Sequence, residues 1–280
     1  MRTDDRLTLM AVHAHPDDES SSTGGILARY GDEGLQTVLV TCTNGEYGDG
    51  PGHLKPGEAG HDAQRVAQTR LGELKVACDH LGVTHLEKLG YHDSGMADWD
   101  FKDRTDVFCN IPLDESVGRL VALFEQYRPD VVVTYHDLGG YNHPDHRQAH
   151  RITVEATERT GIPAKLYFIA HRRRDWEKMR EQMEAAGVEM PVPDQRQVDP
   201  EIAKAMEEME KQVTTTVDAT RWAARKQAAL TAHASQLDEW GLLRLPTDVF
   251  ANVFGTEAFI RVQDRTGAPV PEEDLFAGLR

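Results

Sequence analysis

The feature that most constrains the fold is a regular alternation of short apolar runs with amphipathic stretches along the first two-thirds of the chain. The apolar runs have the length of buried strands and lie at residues 7–13, 36–42, 85–89, 130–134 and 165–170. The stretches with helical spacing of apolar residues lie at 20–33, 62–81, 112–127 and 145–160. This β-α-β-α order predicts an α/β fold with a doubly wound, mostly parallel, Rossmann-like sheet and right-handed crossovers.

The length of 280 residues is close to the upper size for one hydrophobic core, so we expect a single domain over residues 1–280. Residues 1–171 are expected to form its α/β core, and residues 172–280 a helical elaboration with a C-terminal strand. The elements predicted after residue 171 are helices at 175–186, 201–211 and 219–234, a proline-rich segment at 191–200 and a strand at 257–262. A polar, glycine-rich stretch at 45–60 predicts a loop over a site.

The charge balance and the cysteines exclude several classes of protein. The chain carries 31 basic and 47 acidic residues, a net charge of −16, and an acidic surface repels phosphate backbones, so nucleic acid is not an expected partner. It has no long apolar run and no signal-peptide pattern at its start, which predicts a cytoplasmic protein with no membrane partner. Its 3 cysteines, an odd number without a CxxC pair, indicate reduced thiols.

Polar side chains capable of binding a metal follow the first predicted strand. His15 and Asp18 are three residues apart, so both can reach one ion from a turn or a helix start. A neutral imidazole and a carboxylate are suitable ligands for zinc. Asp17 lies between them and can face a water molecule on the metal, while Pro16 restricts the backbone at the strand-to-helix turn.

A second polar cluster follows the predicted strand at 130–134. It contains Tyr141, His143, Asp145 and His146. In a doubly wound sheet, ligands bind outside the carboxyl ends of the strands, so the two clusters are expected to meet at one rim. A histidine after a strand is often structural, and paired aspartates often cap a helix, but two such clusters at equivalent strand ends favour a metal site.

The combined residues predict hydrolysis of an amide bond. His15, Asp18 and His146 make three ligands and leave a position open for water, which is typical of catalytic zinc. Zinc lowers the pKa of a bound water to about 7. Asp17, which lies between two of the ligands, is then placed to accept the proton of that water as the general base. Attack on the carbonyl creates an oxyanion that Tyr141 or His143 can stabilise, and His143 is the best local proton donor to the leaving amine.

The motifs His15-Pro-Asp-Asp18 and Gly140-Tyr-Asn-His-Pro-Asp-His146 resemble those of the LmbE-like or PIG-L zinc deacetylase family, the N-acetylglucosaminyl-phosphatidylinositol de-N-acetylases. The resemblance extends over most of residues 7–170 and recurs at 226–236 and 273–278. Within the family the chain most resembles the mycothiol S-conjugate amidases, followed by the deacetylases of mycothiol biosynthesis. The resemblance therefore implies an amidase or deacetylase of an N-acyl glucosamine-type substrate.

The same resemblance implies a role for each residue of the two clusters. The implied zinc ligands are His15, Asp18 and His146, the implied general base is Asp17, and the implied transition-state groups are Tyr141 and His143, with Asp145 orienting a histidine. It further implies that a glucosamine-inositol type sugar is bound by Glu46, Arg70 and Asp93. Without the resemblance, Glu46 also suits a charge in a loop, Arg70 a residue on the surface of a helix and Asp93 a turn former.

Several alternatives remain open at this stage. The same fold and chemistry also suit a deacetylase or amidase of a specialised-metabolite pathway, and a protein that binds a sugar or thiol conjugate without turnover is a second class. A nucleotide-binding Rossmann module is disfavoured, because Gly24-Gly25 lacks the further glycines of a dinucleotide fingerprint. Fe²⁺ suits a His/Asp/His site nearly as well as Zn²⁺. A homo-oligomer is compatible with the sequence, and the charged segment 172–211 is expected at the rim of the active site.

Overall fold

A single mixed sheet forms the centre of the computed structural model, which describes residues 6–185, 187–188, 200–237 and 241–280. Its strands are β1 (Thr8–His13), β2 (Gln36–Thr43), β3 (His85–Tyr91), β4 (Val131–Thr134), β5 (Lys165–Ala170), β6 (Thr215–Asp218) and β7 (Thr256–Asp264). The helices are α1 (Asp18–Ser22), α2 (Gly24–Asp32), α3 (Ala63–Leu81), α4 (Leu113–Tyr127), α5 (Gly139–Asn142), α6 (Pro144–Thr160), α7 (Arg173–Ala185), α8 (Pro200–Lys211), α9 (Ala223–Ala232), α10 (Ala234–Leu237) and α11 (Thr247–Phe254).

The order of the seven strands is β3-β2-β1-β4-β5-β7-β6. The first five of these strands are parallel, with β1 paired to β2 on one side and to β4 on the other, whereas β7 runs antiparallel to both β5 and β6. This topology confirms the predicted doubly wound, mostly parallel α/β sheet. From β1 the chain adds β2 and β3 on one side of the sheet and then β4 and β5 on the other side. Such a switch point leaves a crevice at the carboxyl ends of the two central strands, β1 and β4.

The hydrophobic composition of the central strands explains why they lie in the middle of the sheet. Every residue of β1 and of β4 is buried, because helices cover both faces of a parallel sheet. The main core joins side chains of these strands, including Met10 and Val132, to Leu74 of α3 and Leu120 of α4. The strands that carry the two polar clusters are therefore fixed by the densest part of the core.

The helix predicted at 20–33 is the clearest correction to the predicted elements. The structure has two helices there, α1 and α2, separated at Thr23. The backbone amides of Gly25 and Ile26 donate to the two carboxylate oxygens of Glu257, at 2.7 and 2.9 Å. This buried acceptor satisfies the first turn of α2, so a new helix can begin where the sequence pattern indicates a continuous one.

The C-terminal region contributes strands as well as helices. The predicted strand at 257–262 corresponds to β7, which is longer, and β6 and α11 were not predicted. The helix predicted at 219–234 is shorter and ends at Ala232, where His233 separates α9 from α10. Of the predicted proline-rich segment, residues 191–199 lie outside the described residues. None of the helices in the described part of the chain has the length and apolarity that crossing a bilayer requires.

Candidate metal centre and active site

The two polar clusters meet at the switch point between β1 and β4. His15, Asp17 and Asp18 lie on the turn from β1 into α1, and His143 and His146 lie at the start of α6, which follows β4. Because β1 and β4 are adjacent and parallel, their carboxyl ends open at the same edge of the sheet. The structure thus brings together residues that are more than 120 positions apart, as the sequence predicted.

Three side chains, those of His15, Asp18 and His146, form a compact triangle in this crevice. His15 Nδ1 lies 3.2 Å from His146 Nε2 and 3.3 Å from Asp18 Oδ2, and His146 Nε2 lies 3.4 Å from Asp18 Oδ1. Zinc bound tetrahedrally at its usual ligand distances needs donor atoms about 3.4 Å apart. The donor set, two imidazoles and one carboxylate, therefore fits a zinc or ferrous ion in both chemistry and spacing.

The charges around His15 also favour a cation at this position. Burial opposes a positive charge on the ring, but the charge of Asp93 and hydrogen bonds to Asp145 and Asp18 outweigh it, so the pKa of His15 lies well above its usual value. Asp145 Oδ2 is 3.1 Å from His15 Nε2, on the side of the ring that faces away from the triangle. A carboxylate in this position orients an imidazole ligand and raises its basicity.

Asp145 is itself held by Ser94, whose backbone amide donates to Asp145 Oδ2 at 2.9 Å and whose hydroxyl donates to Asp145 Oδ1. This places Asp145 behind a ligand rather than facing an open position. The role that the sequence suggested for Asp145, orienting a histidine, is therefore geometrically available to it.

Asp17 occupies a backbone conformation that aspartate rarely adopts, with φ of 116°. Its carboxylate is 23% exposed and accepts a hydrogen bond from Arg70 Nη2 at 2.9 Å. Burial raises the pKa of Asp17 and the charge of Arg70 opposes that rise. A carboxylate with a raised pKa is better suited to accept a proton from water, which is the behaviour required of a general base.

His143 lies beside the triangle, with its ring centroid 4.5 Å from that of His15 and 5.0 Å from that of His146. Its Nδ1 accepts the backbone amide of Asp145 at 3.2 Å, so the proton of the neutral ring is on Nε2. Burial and the charges of His15 and His146 lower the pKa of His143 to about 2. In this environment His143 is a neutral hydrogen-bond donor, which suits contact with an oxyanion.

Glu46, Arg70 and Asp93, the residues implied to bind sugar, are all buried. Arg70 is not on the surface of α3: it donates to the carbonyl oxygens of Pro16 (2.8 Å) and Gly45 (2.7 Å). Its Nη1 lies 4.0 Å from Asp93 Oδ2, so arginine and aspartate line the same side of Asp17. For Tyr141, the described structure includes the backbone in α5, and its side chain lies outside the described part of the chain.

Sequence reasoning missed the residues that hold these side chains in place. Tyr135 donates to Asp18 Oδ2 at 2.6 Å and stacks on His146 with centroids 4.1 Å apart, so it contacts two members of the triangle. Glu19 and His233 form a buried pair behind Asp17. Two signals were available: Tyr135 directly follows the strand at 130–134, and His233 lies in the segment 226–236 that shares the family resemblance.

The mostly parallel sheet and the His/Asp donor set at its switch point define a protein of the α/β class with a candidate metal site. Residues 10–157, just over half of the chain, match the family described as PIG-L: GlcNAc-PI de-N-acetylase. The chain therefore belongs to the PIG-L family, which confirms the family predicted from the two motifs.

Curated relatives match over nearly the whole chain, among them a deacetylase and an amidase. A 1D-myo-inositol 2-acetamido-2-deoxy-alpha-D-glucopyranoside deacetylase from Geodermatophilus obscurus is 38% identical, with 97% of each chain covered. A mycothiol S-conjugate amidase from Streptomyces coelicolor is 34% identical, with 99% of this chain and 98% of the relative covered. Both are carbon–nitrogen hydrolases by name, in agreement with the enzyme class that the sequence predicted.

Solved structures with the same fold are more distant. The N,N'-diacetylchitobiose deacetylase from Pyrococcus horikoshii has a TM-score of 0.55 at 17% identity, covering 92% of this chain and 84% of the other. The 4-carboxy-2-hydroxymuconate hydratase from Pseudomonas putida has a TM-score of 0.58 at 17% identity, covering 94% and 99%. These neighbours establish the fold alone, and since one is named a hydratase, the fold by itself does not decide the reaction.

Proposed function

We propose that the protein is a zinc-dependent N-deacetylase that removes the acetyl group from an N-acetylglucosamine joined to inositol. The observation that carries the proposal is the triangle of His15, Asp18 and His146 donor atoms, 3.2–3.4 Å apart, with the carboxylate of Asp17 beside it. The relative that is 38% identical supports the substrate class by its name.

In this proposal His15, Asp18 and His146 hold the ion, which supplies a Lewis acid for the amide carbonyl and for water. Asp17 accepts the proton of the attacking water, and its raised pKa favours that transfer. The Nε2–H of His143 donates a hydrogen bond to the oxyanion that forms from the carbonyl oxygen. The proton held by Asp17 then passes to the amine as the carbon–nitrogen bond breaks.

Glu46, Arg70 and Asp93 remain the proposed sugar contacts, because all three are buried polar residues, Arg70 contacts Asp17, and Asp93 lies 4.0 Å from Arg70. Arg70 has a second function in this arrangement, since its hydrogen bond to Asp17 also orients the base. The substrate is a small molecule, and hydroxyl groups of a sugar are suitable partners for buried carboxylates and a guanidinium.

Cleavage of a mycothiol S-conjugate is the second candidate, and it differs only in the acyl group that is removed. The relative of that name is 34% identical, compared with 38% for the deacetylase, which favours the deacetylase. A protein that only binds the sugar is disfavoured, because binding alone does not require a half-buried carboxylate held by Arg70 beside the metal triangle.

The test is the release of amine from N-acetylglucosaminyl-inositol and from a mycothiol S-conjugate, measured in parallel with anaerobic metal analysis. The wild type is expected to contain one metal per chain and to hydrolyse the first compound faster. Asp17→Asn keeps the shape of the side chain and is expected to retain the metal and lose activity. Asp79→Asn, an exposed aspartate on α3, is the matched control and is expected to behave as the wild type.

The outcomes separate the candidates. Faster hydrolysis of the conjugate assigns the amidase activity instead, and metal without hydrolysis of either compound assigns another substrate to the same site. Purified protein that neither contains nor binds zinc or Fe²⁺ contradicts the proposal as a whole.

A further inference from the structure

The segment 226–236, here termed the C-terminal clamp, carries part of the family resemblance but contributes no residue to the proposed reaction. It spans most of α9 and of α10, and it contacts several other elements of the chain. Lys226 pairs with Glu257 at 2.6 Å, Ser235 donates to Glu73 of α3, and Gln236 accepts the backbone amide of Asp49 at 2.9 Å. A further contact, that of His233 with Glu19, connects the clamp to Asp17.

His233 and Glu19 are both completely buried, and His233 Nε2 donates to Glu19 Oε1 at 2.8 Å. The other oxygen of the same carboxylate, Oε2, accepts the backbone amide of Asp17 at 3.0 Å. Ser20 also donates to Oε1, so both oxygens of Glu19 are used in one orientation. The carboxylate of Glu19 thus connects the clamp directly to the peptide group of the proposed base.

The backbone of Asp17 has a specific need for such support. A φ of 116° lies in a region that residues with a Cβ rarely adopt, and it persists only where the surroundings impose it. The hydrogen bond to Glu19 holds the amide of Asp17, while Arg70 holds its carboxylate from the other side. Without the first of these contacts, the peptide is free to relax and the carboxylate moves relative to the metal triangle.

We propose that His233, acting through Glu19, is a positioning residue that fixes the backbone and hence the carboxylate of Asp17 for proton transfer. The inference rests on the proposed function, because it assumes that Asp17 is the base. None of the described side-chain hydrogen bonds of Glu19 reaches the proposed sugar contacts or the donor atoms of the metal triangle. The effect of losing His233 is therefore expected in the chemical step, with substrate and metal binding unchanged.

The test compares His233→Phe, which keeps a flat ring without a donor, with His233→Gln, which keeps an N–H donor. His233→Phe is expected to lower kcat roughly 10- to 100-fold with KM and zinc affinity unchanged, since small displacements of a catalytic group have effects of this size. His233→Gln is expected to recover most of kcat. Ser235→Ala removes a neighbouring hydrogen bond of the clamp, to Glu73, and is the control expected to retain wild-type kcat.

A readout that does not depend on turnover is the NMR resonance of the Asp17 amide, which a hydrogen bond to a carboxylate shifts downfield. The shift is expected in the wild type, His233→Gln and Ser235→Ala, and is expected to be lost in His233→Phe. If His233→Phe does not fold, Glu19→Gln takes its place with the same expected fall in kcat. A wild-type kcat or an unchanged amide resonance in the folded variant overturns the inference, whereas a wild type inactive on both substrates overturns the proposed function.

Discussion

Replacing Tyr135 with phenylalanine is expected to weaken zinc binding without removing any ligand. Burial opposes the charge on Asp18, but His146 and His15 outweigh it and hold the pKa of Asp18 well below its usual value, so the carboxylate is ionised. The hydroxyl of Tyr135 donates to this carboxylate at 2.6 Å and also accepts the backbone amide of Ala14 at 2.8 Å. Phenylalanine keeps the ring that stacks on His146 and removes both of these hydrogen bonds, together with the 3.3 Å contact of the hydroxyl with His13 Nδ1.

The magnitude follows from the type of hydrogen bond that is lost. A hydrogen bond to a charged group contributes about 1.5–3 kcal/mol, and each 1.4 kcal/mol corresponds to roughly a tenfold change in a dissociation constant. The Kd for zinc is therefore expected to rise about 10- to 100-fold, the range found for groups that orient metal ligands. The unsatisfied amide of Ala14 is expected to lower the free energy of unfolding of the metal-free protein by about 1–3 kcal/mol.

The assay is competition for zinc with a chelating dye, together with urea unfolding of the metal-free protein. The matched control is Tyr167→Phe, because the hydroxyl of Tyr167 is also buried and lies 2.8 Å from Glu272 Oε2, away from the metal triangle. The control is expected to lose stability and keep the wild-type Kd. If Tyr135→Phe loses stability but binds zinc as the wild type does, Tyr135 supports the fold only and the reasoning is refuted.

Three further predictions test the site and its support. Gly45→Ala places a Cβ 2.6 Å from Arg70 Nη1 at a φ of +67°, so we expect the guanidinium of Arg70 to be displaced. Steady-state kinetics are expected to show a fall in kcat of about 10-fold or more, and metal analysis an unchanged metal content. Glu257→Gln leaves the buried Lys226 without its charge partner and is expected to cost about 3–5 kcal/mol in urea unfolding, whereas Glu115→Gln in the exposed ion pair with Arg119 is expected to cost about 1 kcal/mol or less. Chelation of the metal is expected to abolish amine release, and one equivalent of zinc to restore it; a metal-free protein that still hydrolyses its substrate contradicts the metal-dependent mechanism.

The strands of the core were predictable because their composition depends on where they lie in the sheet. The run at 130–134 is continuously apolar since β4 is buried on both faces, and the strand at 165–170 agrees with β5 in both bounds. The short strand β6 escaped prediction because its residues, Thr-Thr-Val-Asp, are mostly polar and pair with β7 at the end of the sheet, with one further bridge to Glu272. Its place in the sheet is fixed by that pairing rather than by its own hydrophobicity.

The split between α1 and α2 shows a second limit of the sequence pattern. The periodicity of apolar residues at 20–33 is compatible with one helix, and nothing local requires a break at Thr23. The new helix begins because Glu257, more than 230 residues away, accepts the amides of its first turn. Long-range hydrogen bonds of this kind leave no periodic signal, so the boundary was accessible only from the structure.

The residues of the candidate active site also differ in how far they could be predicted from the sequence. The proposed ligands could be selected from the sequence because each lies within a few residues of a strand end, where the chemistry of the side chains and the direction of a parallel sheet both point to one crevice. The groups that orient those ligands come from elsewhere: Tyr135 reaches Asp18 across 117 positions, and His233 reaches Glu19 across 214. A variant that keeps both motifs but loses these distant contacts is therefore expected to retain the composition of the site and lose its geometry. In the proposed mechanism the C-terminal region contributes no ligand or base, and its expected contribution is to position Asp17 through His233 and Glu19.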